Sequence, residues 1–192
     1  MRVALCIGHS RAGDLGAVAA DGFTHEWTFW RFIAQRAKLD FPDNEHDIRI
    51  YDAYKGRSYT EAMTDIACRL RRDRVDLAIE LHFNAYNGKA SGREAFYWHS
   101  SADGQRFAET LLDIQGDLVG QDWGDSVMRG AKPANQGTRG AQFLRKTHCP
   151  AVIWEGFFGD NDQEWGWYSP REGLLALALS EAILAWEPYM LG

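Results

Sequence analysis

Apolar and polar residues alternate most strictly over residues 75–84, with Val75, Leu77, Ile79, Leu81 and Phe83 on one parity and Asp76, Ala78, Glu80, His82 and Asn84 on the other. Period-2 alternation predicts a strand whose one face carries Glu80, His82 and Asn84 together. A carboxylate and an imidazole at the end of an apolar strand are costly to bury without partners, and a metal or a substrate is one possible partner. Two further apolar runs stop in the same manner: residues 2–7 lead into Gly8-His9, and residues 151–154 into Glu155-Gly156. Three predicted strand ends therefore present polar groups.

Between these runs the period changes. The first strand gives way to a loop over residues 8–22 whose glycines fit neither a P-loop nor GxGxxG. A helix is predicted over about residues 24–39, where Trp30, Ile33, Ala34 and Ala37 recur at helical spacing from Glu26. Glu26 then points inward from the first turn, and His25 falls about a quarter-turn outside the stripe. Residues 47–51 read as a strand, and a helix over about 58–72 opens with the capping box Ser58-x-x-Glu61. A turn at Asn87-Gly88, a strand over 93–99 and a helix over 102–118 follow.

Residues 119–140 show no periodicity; so long a loop is expected to be a groove wall or lid, or else a mobile surface loop. A short helix at about 141–146 precedes the strand at 151–154. Residues 156–168 read as a loop whose Phe157, Phe158, Trp165, Trp167 and Tyr168 either stack on sugar rings or cover core. The last helix has Ser169 as N-cap, Pro170 at its first position and Glu172 completing the box, then Leu175, Leu179, Ala182, Ile183 and Trp186 on one stripe. It is expected to pack on the sheet and to carry no chemistry. Strands alternating with helices predict an α/β fold: one domain, residues 1–192, with a mostly parallel or mixed twisted sheet flanked by helices.

Composition narrows the function. A chain of 192 residues, 45% hydrophobic, suits one globular domain with a sizeable core. A net charge of -6 argues against a nucleic-acid binder, and the cluster Arg69, Arg71, Arg72 and Arg74 falls at a helix end, where it suits the dipole. Cys6, Cys68 and Cys149 are odd in number and lack CxxC spacing, which fits reduced structural thiols. The N-terminal apolar run is too short for a signal peptide or a membrane span. The expectation is cytoplasmic synthesis, a monomer, and no membrane or nucleic-acid partner.

The candidate constellation is His9, Glu26, His82 and Glu155. Sites in open α/β sheets collect outside the carboxyl ends of strands, where three of these residues fall. Two imidazoles and a carboxylate form the ligand set of a catalytic zinc with an open position, and a further carboxylate is left to handle protons. Singly, each has a plainer reading: a turn histidine, a first-turn carboxylate, a core histidine and a partner for an arginine.

The segments VALCIGHS, GFTHEWTFW, DLAIELHFNA, SGREAFYW and PAVIWEGFFGDND resemble, in order, the motifs of the zinc-dependent N-acetylmuramoyl-L-alanine amidases of bacterial cell-wall hydrolases and phage endolysins. The resemblance implies zinc held by His9, Glu26 and His82, with Glu155 moving protons between the attacking water and the leaving amine. It implies peptidoglycan as partner and hydrolysis of the bond between N-acetylmuramic acid and L-alanine. A single catalytic domain without a secretion signal or wall-binding module is expected of a phage or prophage endolysin, released to the wall by another protein. Glu80 departs from the pattern, since many members carry a small hydroxyl residue there. With Asn84 it is assigned to substrate contact or to orienting a ligand. His25-Glu26-Trp27-Thr28-Phe29 lacks the second histidine of HExxH, which excludes a zincin protease. The rival readings are a zinc hydrolase of another amide, a cysteine amidase built on His148 and Cys149, and a non-catalytic wall-binding module.

Overall fold

The computed structural model describes residues 1–42, 45–120, 127–138 and 140–186. Its strands are β1 (Arg2–Ile7), β2 (Asp47–Tyr51), β3 (Leu77–Asn84), β4 (Arg93–Trp98), β5 (Met128–Ala134) and β6 (Ala151–Phe158). Its helices are α1 (Glu26–Leu39), α2 (Tyr59–Arg72), α3 (Ala102–Val119), α4 (Gln142–Lys146), α5 (Asp162–Tyr168) and α6 (Glu172–Trp186). The strands form one sheet in the order β2-β1-β3-β6-β4-β5. Neighbours are parallel throughout except for the antiparallel pair of β4 and β6. This is the mixed α/β sheet that the alternation of elements predicts.

Strand alternation divides the core in two. Val3, Leu5, Ile7, Leu77, Ile79, Leu81 and Trp154 face the layer of α1, α3 and α6. Ala4, Cys6, Ala78 and Ile153 face α2 and α4. The first layer is broad, with Trp30, Trp154 and Trp186 fully enclosed. The second is narrow, because α4 is only five residues long. A sheet face left partly bare is where a groove can open.

Local chemistry sets the helix ends. Ser58 Oγ accepts a hydrogen bond from Glu61 N at 3.3 Å, while Glu61 Oε2 accepts from Arg57 N at 2.7 Å. Ser101 Oγ caps α3 by accepting from Gly104 N at 3.0 Å. Among the described residues, no helix is long and apolar enough to cross a membrane.

Several expectations need correction. The stretch 119–140 is not one loop: it contains β5, while residues 121–126 and 139 lie outside the described residues. MRGAKPA has no strand pattern because β5 is an edge strand, the one place in a sheet where Pro133 and exposed charge are tolerated. The stretch 156–168 is not a loop either, since β6 continues to Phe158 and α5 follows, capped by Asn161. Its aromatics are core: Phe157 is 0% and Tyr168 1% exposed, and Trp165 packs partly buried over Phe157. These aromatics therefore cover core rather than stack on sugar rings. Ser169 does not cap the last helix, because Ser169–Arg171 forms a 3-10 turn and α6 begins at Glu172. α6 packs mainly on α1 and α3 rather than on the sheet.

Candidate active site

The order β1-β3-β6 explains why distant residues meet. These three strands are parallel neighbours, so their carboxyl ends lie along one edge. His9 follows β1, whereas His82 lies within β3 and Glu155 within β6, directly across from it. Glu155 is thus a residue inside a strand rather than one at its end. Glu26 enters from the first turn of α1 and is 2% exposed.

The donor atoms of His9, Glu26 and His82 all lie within 4.8 Å of one another. His82 Nδ1 is 2.8 Å from Glu26 Oε1, and His9 Nε2 is 3.3 Å from Glu26 Oε2. Glu26 is fixed in turn by the backbone N–H groups of Ala17 and Phe83, each donating at 3.2 Å. His25 takes no part in this group, and α1 starts one residue after it. The His82 ring lies over bare backbone: a Cβ on Gly8 would stand 2.2 Å from its Cε1. On Gly16, whose φ is +73°, a Cβ would stand 2.6 Å from Glu26 Oε2. Only glycine leaves room at both places.

Each imidazole has an outer carboxylate. His9 Nδ1 is 2.9 Å from Asp14 Oδ1, which helps hold His9 in a left-handed backbone at φ 59°. His82 Nε2 is 3.5 Å from Glu80 Oε2. Burial opposes a charged His82, but hydrogen bonds to Glu26 and Glu80, with the charges of Glu26 and Glu155, lift its pKa well above the usual range. Burial, reinforced by Glu26, Glu94 and Glu80 against the opposing charge of His82, pushes the carboxyl of Glu155 up to about 8. Glu155 Oε2 is buried without a hydrogen-bond partner.

Glu94, directly across the sheet from Glu155, is a neighbour the pattern of the chain did not single out. Burial raises its pKa, but Lys132, Arg129 and Asn84 outweigh that and hold it low. Asn84 Nδ2 donates to its Oε1 at 2.8 Å, so this amide is committed to Glu94. Asp14 carries no sequence signal of its own, since it sits in a glycine-rich loop without period. Only the pairing register of β4 with β6 would have found Glu94.

His9, Glu26, Glu80, His82, Asn84 and Glu155 all line one groove of about 700 Å³. Met63, Phe96, Leu144 and Ile153 give it an apolar lining, and Ala134, Thr138 and Gly140 border it as well. The arrangement can hold a divalent cation beside a carboxyl proton carrier, in a groove large enough for a substrate segment.

A family profile described as N-acetylmuramoyl-L-alanine amidase matches residues 3–185. No curated protein matches the chain in sequence. Solved structures share the fold: the catalytic domain of the amidase CwlV from Bacillus (Paenibacillus) polymyxa is 17% identical with a TM-score of 0.78, covering 98% of this chain and 99% of that one. The amidase CwlD from Clostridioides difficile, solved with the GerS lipoprotein, is 17% identical with a TM-score of 0.82, covering 98% of each chain. The catalytic domain of the endolysin CD27L, targeting Clostridia difficile, is 24% identical with a TM-score of 0.78, covering 96% of this chain and 97% of that one. With the profile spanning almost the whole sequence, the chain belongs to the N-acetylmuramoyl-L-alanine amidase family and is a hydrolase of the bond between N-acetylmuramic acid and L-alanine in peptidoglycan.

Proposed function

We propose that the protein cleaves this amide as a zinc enzyme, with His9, Glu26 and His82 as the metal ligands and Glu155 as the proton carrier. The observation that carries the reading is the cluster of two imidazoles and a carboxylate within 4.8 Å, facing a groove and backed by outer carboxylates. Hydrogen bonds from Ala17 and Phe83 orient Glu26, and Asp14 selects the His9 tautomer that turns Nε2 toward it. Nitrogen and carboxylate donors with no thiolate suit zinc at a catalytic site. Bound there, zinc supplies the Lewis acidity that makes a water nucleophilic near neutral pH.

The residues of the chain do the rest. Glu155, half-buried with its Oε2 enclosed and unpartnered, takes the proton of the attacking water and returns it to the nitrogen of L-alanine as the bond breaks. A carboxyl group whose affinity for a proton is raised by burial is suited to both steps. The apolar lining of the groove accepts the less polar part of the substrate. Metal analysis of purified protein tests the ligand set: about one zinc per chain is expected, removed by chelation together with activity and restored on adding zinc.

We further propose an endolysin role, supported by the fold shared with the CD27L catalytic domain. Expression in a bacterium with and without a membrane-permeabilising partner tests it: lysis with the partner alone is expected. Lysis regardless of the partner, or none with it, counts against this role while leaving the chemistry intact.

A further inference from the structure

We propose that Glu80 is a positioning residue for His82: its carboxylate takes the Nε2–H, so that Nδ1 is turned toward the metal beside Glu26. The proposal rests on reading His9, Glu26 and His82 as the metal ligands. The His82 ring is bounded on three sides, with Glu26 2.8 Å from Nδ1, Glu80 3.5 Å from Nε2, and Gly8 backbone beneath Cε1. The Glu80 separation exceeds the ordinary hydrogen-bond range by roughly 0.3 Å, which a small side-chain torsion closes.

The surroundings of Glu80 favour this role. It is 4% exposed, and among the described residues no lysine or arginine forms an ion pair with it. Glu94, on the same face, is instead neutralised by Arg129 and Lys132. A buried carboxylate without a cation needs compensation, and an imidazole N–H backed by a divalent ion supplies it. An outer carboxylate fixes the tautomer of a ligating histidine and makes it a stronger donor. The other use open to a carboxylate lining this groove is direct contact with substrate.

Two variants separate these uses. Glu80→Ala removes the acceptor, whereas Glu80→Gln keeps an acceptor and removes the charge. Zinc affinity is measured by competition with a chromophoric chelator, and the His82 Nε2–H hydrogen bond by the shift and solvent exchange of that proton in 1H–15N spectra of the zinc-loaded protein. Glu80→Ala is expected to weaken zinc binding about 10–100-fold and to leave the Nε2–H in fast exchange with water. Glu80→Gln is expected to keep a protected Nε2–H with a smaller loss of affinity, and it carries the test alone should Glu80→Ala fail to fold. Unchanged affinity and exchange, with a raised KM, overturn the proposal and make Glu80 a substrate contact. Wild-type protein that binds no zinc overturns the ligand reading itself, whereas wild-type binding unaffected by either variant overturns only the role of Glu80.

Discussion

Glu155 combines a half-buried side chain, an enclosed Oε2 without a hydrogen-bond partner and a pKa pushed up to about 8, and no other carboxylate at the site has this combination. Glu26 is held by two backbone N–H groups and Glu94 by two cations. Replacing Glu155 with Gln should leave zinc content near one per chain and lower kcat by about 10²–10⁴-fold, the usual loss of a general base. A fully active variant would remove Glu155 from the chemistry. His82→Ala should lose zinc and activity together, as read by metal analysis and peptidoglycan turnover. Burial holds Cys149 up to about 12 and Cys6 well above its usual value, so neither is a thiolate near neutral pH. Iodoacetamide at pH 8 should therefore modify exposed Cys68 and leave activity unchanged; inactivation with one modified Cys149 would revive the thiol mechanism. That His9, His82 and Glu155 gather at one groove was legible because polar groups interrupt apolar runs there, and Glu26 because it falls on the buried stripe of α1. Asp14 and Glu94 were not, since their roles depend on a loop path and a strand register that no period encodes.

At the scale of elements, three parallel strands in the order β1-β3-β6 do the gathering, and glycines make the space. Gly8→Ala would put a methyl group 2.2 Å from the His82 ring, so the ring must move. The expected result is zinc affinity reduced by at least tenfold with the circular dichroism spectrum retained; unaltered affinity would show that the ring position does not matter. The stripe of α1 was readable from Glu26 to Ala37 because an amphipathic helix repeats its buried face. β5 was not, because an edge strand needs no buried face and here carries Gly130, Lys132 and Pro133. In the sequence, the end of β6 and α5 read as a loop because Gly156 and Gly159 look like breaks. In the fold, a Cβ on Gly156 would stand 3.1 Å from the Trp30 ring, and one on Gly159 2.4 Å from Phe83. They are sites of close packing.

For the whole molecule, the two unequal cores define both stability and access to the site. The broad α1-α3-α6 layer anchors the sheet, and the narrow α2-α4 layer leaves the groove open. Titration adds a limit at high pH. Tyr51 is pushed up to about 12 by burial, then by its hydrogen bond to Asp73 and that residue's charge, and Cys149 to about 12 chiefly by burial. Both groups are neutral when protonated, and the folded state keeps protons that the unfolded chain releases from about pH 9–10. Stability should be unaffected by these groups below pH 9 and fall as pH rises toward 12, seen as a declining midpoint in thermal melts; a flat midpoint across that interval would contradict the burial assigned to them. The most direct test of the whole account is mass spectrometry of purified peptidoglycan after digestion by the protein, with and without prior removal of metal. Intact stem peptides bearing a free L-alanine amine are expected, released only when metal is present. Products cut within the peptide or between sugars, or the same release from metal-free protein, would contradict it.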